Sequence, residues 1–217
     1  MADTAEIIAD VLIVDDHPLL RSGLQQILAL RPQLRMVGTA GDGESALQEA
    51  ERLEPDLILL DLNLPDMHGL KVLQALRQSG SDARVVVFTV SDEQSDIAAA
   101  MRMGADGYLL KDTEPEDLVT ALDAAVRGQT TLSPRVRDYV LERVPVNDVA
   151  RQLAALTPRE RGVLELLAEG YSNKLIAQHL DIAEGTVKVH VKRLLAKLGM
   201  KSRVEAALWL TRQAGHY

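Results

Sequence analysis

The chain of 217 residues contains no cysteine, which excludes disulfides and thiolate zinc sites and is compatible with a reducing compartment. No apolar run approaches the ~18 residues that a membrane span needs. The opening residues, Met1-Ala-Asp-Thr-Ala-Glu6, carry acid where a secretory leader carries Lys or Arg. The expectation is a soluble, cytoplasmic protein with no membrane partner. Internal repeats and low-complexity tracts are also lacking. Basic residues are scarce in the first part: residues 1–130 hold 10 Lys+Arg against 23 Asp+Glu, a net of −13. Residues 131–217 reverse the balance with 14 against 9, a net of +5, so the overall −8 averages two different halves. Such a split points to an acidic and a basic domain with different partners, the plainer alternative being two differently solvated surfaces.

Apolar residues make up 47% of the chain, enough for real cores. The first part alternates apolar runs with helical periodicity. Val11–Val14, Arg35–Ala40, Leu57–Leu60, Val85–Thr89 and Gly107–Leu110 read as strands. Helices are expected near 18–30, 43–53, 69–78, 93–103 and 114–127. This alternation implies βαβ units and a doubly wound, five-stranded parallel sheet covered on both faces. After Gly128 the pattern stops. Gln129–Pro134 reads as a turn, a short helix is expected near 135–143, and 145–156 reads as linker. The remainder is all helix. Thr157, Pro158 and Glu160 form a helix start, and Gly170 a stop. Further helices are expected at 173–180, 184–198 and 202–213. The expected domains are 8–128, a linker with a short helix at 129–155, and a small all-α domain at 156–217.

Functional groups in an open parallel sheet gather at the carboxyl ends of the strands. Asp15-Asp16, Asp61, Thr89 and Lys111 each stand just after or at the end of a strand, so they should meet in one crevice. An Asp-Asp pair alone is usually a solvated turn or cap; the full set makes that reading a poor one. Three carboxylates repel unless a hard divalent cation sits among them, and oxygen ligands favour Mg²⁺. A carboxylate beside Mg²⁺ and a lysine suits a phosphoryl acceptor.

Residues 10–128 resemble the receiver domain of two-component response regulators, on Asp15-Asp16, Asp61-Leu-Asn-Leu-Pro-Asp-Met-His-Gly69, Thr89 and Lys111. The resemblance implies a flavodoxin-like fold and phosphorylation of Asp61 by a sensor histidine kinase. It implies that Asp16, Asp61 and the Asn63 carbonyl ligate Mg²⁺, with Asp15 helping through water. Lys111 would pair with the phosphoryl oxygens and the Thr89 hydroxyl would move to meet them. Tyr108 would report the switch, ordinary strand packing being the alternative. Asp112 stands where many receivers have proline; a cis bond before a non-proline residue costs about 2.5–4 kcal/mol, so the approach to the site is expected to differ.

The basic half carries Leu156-Thr-Pro-Arg-Glu160, Asn173-Lys-Leu-Ile-Ala177 and Gly185-Thr-Val-Lys-Val-His-Val191, which resemble the LuxR-type helix-turn-helix. Together the two parts resemble the NarL/FixJ subfamily. The second helix of such a motif enters the major groove, and Thr186, Lys188, Val189, Lys192 and Arg193 fall on or near its exposed side. Residues 171–203 hold seven Lys+Arg and two Asp+Glu, the footprint expected for phosphates. Val187, Val191, Leu194 and Leu195 recur at helical spacing and should pack the core; His190 is compatible with a phosphate contact or simple exposure. Ala183 cannot cap the helix, and Gly185 weakens its first turn. The resemblance implies duplex promoter DNA, a homodimer on that DNA and RNA polymerase as partners. Two rivals remain: a Mg²⁺-dependent phosphohydrolase with Asp61 as nucleophile, disfavoured because Asn63 stands where such enzymes place a second acid, and a module binding RNA or protein through the basic half.

Overall fold

The computed structural model describes residues 9–143, 152–153, 155–200 and 202–214. The expected N-terminal segment 1–8 and most of the expected linker, 144–151, lie outside the described residues. The chain divides into two compact units. One holds the residues up to Val126 together with Thr131–Ser133; the other holds Arg127–Thr130 and the residues from Pro134 on.

The first unit is a parallel sheet of six strands: β1 (Ala9–Val14), β2 (Leu34–Ala40), β3 (Leu57–Leu60), β4 (Arg84–Thr89), β5 (Gly107–Leu110) and β6 (Thr131–Leu132). They lie in the order β2-β1-β3-β4-β5-β6. Strands β1, β3, β4 and β5 are nearly continuous apolar runs because both of their faces are covered. The connecting helices are α1 (Pro18–Ala29), α2 (Gly43–Leu53), α3 (Gly69–Gln78), α4 (Gln94–Arg102) and α5 (Pro115–Val126). Leu24 and Leu28 of α1 and Leu118 and Leu122 of α5 bury one face with Val11, Ile13, Leu57, Leu59, Val86 and Phe88. Side chains alternate along a strand, so the intervening Leu12, Val14, Ile58 and Val87 turn to the other face, where α2, α3 and α4 bury Ala46, Val72, Leu73 and Ile97. The strand order reverses between β1 and β3, which opens a crevice at their carboxyl ends.

The sequence led us to expect five strands and a turn near Gln129–Pro134; the structure places a short sixth strand there, Thr131–Leu132, against β5. The pairing depends on Gly107, where a Cβ would lie 2.7 Å from the Thr131 carbonyl oxygen. Without that side chain the two backbones can pair, and Ser133 N–H donates to the Tyr108 carbonyl at 3.0 Å. Two residues of strand carry too little periodicity to be seen in sequence.

The second unit contains α6 (Pro134–Arg143), α7 (Pro158–Ala168), α8 (Asn173–Leu180), α9 (Glu184–Leu198) and α10 (Arg203–Ala214). Helix α7 starts with a reciprocal capping box between Thr157 and Glu160. Ser172 caps α8 through the Leu175 amide, and Asp181 ends it at φ 51°, in the left-handed region. The turn to α9 is fixed by Ile182 N–H on Ala177 O at 3.0 Å and by Arg159 Nη2 on Leu180 O at 2.7 Å. Val163, Leu164, Leu167, Ile176, Val187, Leu194 and the fully buried Trp209 form the core.

Glu160 also joins α7 to α9. Its buried carboxylate accepts from Lys197 Nζ at 2.6 Å and from the Thr157 amide at 2.8 Å. The Lys197 hydrogen bond, followed by that of Thr157, holds its pKa down from 4.5 to about 2. A carboxyl depressed in the folded state contributes stability that is complete above its unfolded pKa and is lost as pH falls through the folded value. The contribution should therefore be intact above pH 4.5 and disappear toward pH 2. Trp209 is the sole tryptophan and sits in this core, so its fluorescence follows the acid transition. Lys197→Met should move the midpoint to higher pH; an unmoved midpoint would show that the ion pair does not hold the unit together. Thr157→Ala should cost about 1 kcal/mol in the same unit, read by urea unfolding.

Candidate functional site

The carboxyl ends of β1, β3, β4 and β5 present Asp15, Asp16, Asp61, Thr89 and Lys111, and the fold brings three of them into direct contact. Lys111 Nζ lies 2.6 Å from Asp61 Oδ2 and 2.7 Å from Asp15 Oδ2. Both carboxylates are 2% exposed, so little water is available to screen them. Burial opposes the Lys111 charge, but its hydrogen bonds to Asp15 and Asp61 outweigh that effect and raise its pKa above the ordinary lysine value.

Ligand atoms of Asp15, Asp16, His17 and Asp61 all lie within 4.8 Å of one another. Asp16 Oδ1 is buried and accepts no hydrogen bond, although His17 Nδ1 stands 2.6 Å away. Three carboxylates less one ammonium leave two negative charges, which a divalent cation balances. The oxygen-rich donor set, with one orphaned carboxylate oxygen, fits a hard cation such as Mg²⁺. Asn63 follows in the loop after β3, and its amide donates to Asp61 Oδ1 at 3.2 Å.

The other expected groups sit close by in sequence and strand order. Thr89 is fully buried and its Oγ1 accepts from Ser91 N–H at 3.3 Å. Tyr108 is fully buried, and its hydroxyl donates to the Ser91 carbonyl at 2.8 Å. Burial, foremost, pushes the Tyr108 phenol up. Ser91 thus contacts both proposed switch residues, and it escaped the sequence reading because it lies two positions beyond the strand end. His17 and Arg21 were missed as well. The His17 amide donates to Asp15 Oδ1 at 2.8 Å, and the Arg21 guanidinium binds the Asp15 carbonyl. The signal for His17 was its adjacency to the Asp pair.

The loop after β3 is tightly built. Leu62 is fully buried, Asn63 and His68 form an isolated bridge, and Gly69 N–H donates to Leu62 O at 2.8 Å. Asp66 accepts from the Gly43 and Glu44 amides at 2.7 and 2.9 Å, clipping the loop to the start of α2. The Gly43 amide, first, and then the Glu44 amide hold the Asp66 carboxyl below its ordinary value against the opposing effect of burial.

In the second unit α9 presents Thr186, Lys188, Val189, Lys192 and Arg193 as exposed residues. Val189 is 46% exposed, unusual for a large apolar side chain. Val187 and Leu194 are buried, and Val191 and Leu195 pack against the same core, as the periodicity predicted. Lys188 lies 3.7 Å from Glu184, an exposed pair of the kind worth about 0.3–0.5 kcal/mol and so readily given up to another partner. Ala183 precedes α9 without a side-chain cap, as expected. His190 is partly buried with Nδ1 in no hydrogen bond, which disfavours simple exposure.

Residues 11–123 match the family described as response regulator receiver domain, and residues 154–210 match the bacterial regulatory proteins of the luxR family. The nitrate/nitrite response regulator protein NarL of Escherichia coli (strain K12) is 49% identical over 204 residues, 93% of this chain and 94% of the relative. NarP of the same organism, also a nitrate/nitrite response regulator protein, is 49% identical over 205 residues, 94% of this chain and 95% of the relative. Among solved structures, the response regulator ChrA of a heme-sensing two-component system is 33% identical with a TM-score of 0.52, covering 96% of this chain and 98% of that one. A structure of RcsB dimers bound to DNA has a TM-score of 0.58 at 24% identity, covering 94% and 98%, a likeness that bears on the fold.

The geometry around Asp61 makes Gly69 a sensitive position. A Cβ there would clash with the Asp61 carbonyl oxygen and lie 2.8 Å from Leu62 Cα. Both are backbone atoms, so rotation of a side chain cannot relieve the contact. Gly69→Ala should destabilise the first unit by roughly 1–3 kcal/mol, measured by urea unfolding followed by circular dichroism. An unchanged midpoint would show that the loop can yield.

Proposed function

The chain belongs to the two-component response regulators that join a receiver domain to a LuxR-type DNA-binding domain, and we propose how its own residues carry that role. The family is one of transcription regulators, not of enzymes that turn over a separate substrate. On our reading the receiver is residues 8–128, a linker follows at 129–155, and the DNA-binding domain is 156–217. The reading is carried by one observation: Lys111 bridges Asp61 and Asp15, with Asp16 within the same cluster, at the carboxyl end of a parallel sheet.

A sensor histidine kinase is the phosphoryl donor. An Asp61 carboxylate oxygen attacks the phosphorus in line, and the bond to the donor histidine nitrogen breaks. Asp15, Asp16, Asp61 and the Asn63 carbonyl would hold Mg²⁺. When bound, that ion neutralises charge on the phosphoryl oxygens and orients them. Lys111 exchanges part of its hold on Asp61 for a phosphoryl oxygen, a charge-assisted contact. The Thr89 hydroxyl leaves Ser91 to meet the same group, and Tyr108, held on the Ser91 carbonyl, responds. Slow loss of the phosphoryl group to water is a property of the same pocket.

The phosphorylated chain binds duplex promoter DNA as a homodimer and acts on RNA polymerase in the cytoplasm. No helix among the described residues is long and apolar enough to cross a membrane. The 49% identity to NarL and NarP supports nitrate- or nitrite-responsive genes as targets. The RcsB structure, with dimers on DNA, supports the dimeric state. Thr186, Lys188, Val189, Lys192 and Arg193 face the major groove; Val189 suits a thymine methyl.

Incubation with a phosphodonor and Mg²⁺ should add one hydroxylamine-labile phosphoryl group, and Asp61→Asn should abolish it because an amide is not a comparable nucleophile. Equal labelling of the variant would place the acceptor elsewhere. Asp16→Ala should weaken Mg²⁺ binding and slow labelling, measured over a Mg²⁺ titration. For DNA, loss of a base contact at Lys188 or Lys192 should cost about 1–3 kcal/mol and relax one position of the site, whereas loss of a phosphate contact weakens all sequences alike. Binding of the wild type should fall steeply with salt. Alanine variants with unchanged affinity and salt slope would show that α9 is not the reading helix.

A further inference from the structure

Strand β5 ends at Leu110, one residue before the lysine of the pocket. Successive backbone groups of a parallel strand bond to opposite neighbours. On the inner side, Lys111 N–H donates to the Thr89 carbonyl at 2.9 Å. On the outer side the partner is β6, which is only two residues long and pairs with Gly107 and Tyr108. Past Leu132 the ladder would run out and leave the Leu110 amide, inside the protein, without an acceptor. Ser133 fills that place. Its amide donates to the Tyr108 carbonyl at 3.0 Å, and its Oγ accepts from Leu110 N–H at 2.9 Å. Ser133 is 5% exposed, and Thr113 Oγ1 lies 3.3 Å from the same hydroxyl. The side-chain oxygen does what a carbonyl would do in a longer strand. The end of β5 that carries Lys111 is therefore clamped between Thr89 and Ser133.

Resting on the reading of Asp61 as phosphoacceptor, we propose that Ser133 is a positioning residue for phosphoryl transfer to Asp61, acting through the end of β5 on Lys111. Ser133 lies outside residues 11–123, which match the receiver family, and ten positions past their end. It touches none of the three acidic groups; it acts by fixing the peptide unit from which Lys111 departs. A lysine has four rotatable side-chain bonds, and its reach to two carboxylates at 2.6 and 2.7 Å depends on where its Cα is held. The metal-binding carboxylates come from β1 and β3 and do not depend on that clamp. The two functions of the pocket should therefore separate when Ser133 is changed.

The test uses the full chain, acetyl phosphate as donor and a Mg²⁺ titration at each variant. It yields the limiting rate of phosphorylation and the Mg²⁺ concentration giving half of it, with the melting temperature recorded by calorimetry. Ser133→Ala should lower the limiting rate roughly 5- to 50-fold, in line with what small misplacements of a reacting group cost, and leave the half-saturating Mg²⁺ within about twofold. Ser133→Thr, which keeps the oxygen, should restore the rate. Ser133→Cys, a weak acceptor of similar size, should fall between and carries the test if the alanine variant does not fold. An unchanged limiting rate with a lowered melting temperature would reduce Ser133 to a stabilising contact and overturn the proposal. So would a parallel loss of rate and Mg²⁺ affinity, which would mean that the whole pocket has collapsed. If the wild type itself takes no phosphoryl group on Asp61, the reading of the pocket fails first.

Discussion

Three carboxylates and one ammonium share a space a few ångströms across, and much else in the first unit exists to hold them there. At about 4 Å and an effective dielectric near 20, each charge pair is worth about 4 kcal/mol. Lys111 answers two of the carboxylates and leaves Asp16 to the neighbouring His17, whose Nδ1 stands 2.6 Å from Asp16 Oδ1. A divalent cation would relieve the charge of such a pocket, and on the proposed reading a phosphoryl group on Asp61 would raise the demand further. On the proposed reading, binding a cation and accepting a phosphoryl group would be two responses of one electrostatic arrangement. The strands that carry these groups are buried on both faces, so the pocket cannot relax by spreading.

Close backbone approach supplies the required precision, at the points where a side chain would prevent it. Gly69 lets α3 start against the Asp61 peptide, and Gly107 lets β6 lie along β5. Asp66 clips the intervening loop to the start of α2 through two amides. Ser91 ties Thr89 and Tyr108 together on the other side. Each of these contacts lies one step away from the reacting groups and fixes a peptide unit from which a functional side chain departs.

The second unit is stabilised by different means. It has no sheet among its described residues, so its helices depend on caps and a small core. Glu160 serves twice, closing the capping box of α7 and pairing with Lys197 near the end of α9. Helix α9 is well anchored at its C-terminal end, by Lys197 and by the Gly199 cap at φ 68°, and poorly capped at its N-terminal end. The residues proposed to read DNA occupy the less anchored portion, where contact with a duplex can supply part of the ordering.

The amino-acid sequence by itself determined the order of elements, because apolar period and turn residues are local properties: α2, α8 and α9 begin and end where the periodicity puts them. It also determined which residues could share a crevice, since parallel βαβ units leave strand ends on one side. It could not show that Lys111 binds Asp15 as well as Asp61, that His17 stands against Asp16, or that Ser91 joins Thr89 to Tyr108. The Lys111 and Tyr108 contacts depend on distances between segments far apart in the chain, and the His17–Asp16 and Ser91–Thr89 contacts on local side-chain and backbone orientation that periodicity does not report. Nor could it show β6 and Ser133, because a two-residue strand has no pattern of its own and exists only through the gap that Gly107 leaves beside it. Tertiary structure decided these features because each depends on where the fold places a group in space: side-chain atoms of Lys111 and His17 against carboxylates, and the backbone of β6 against β5.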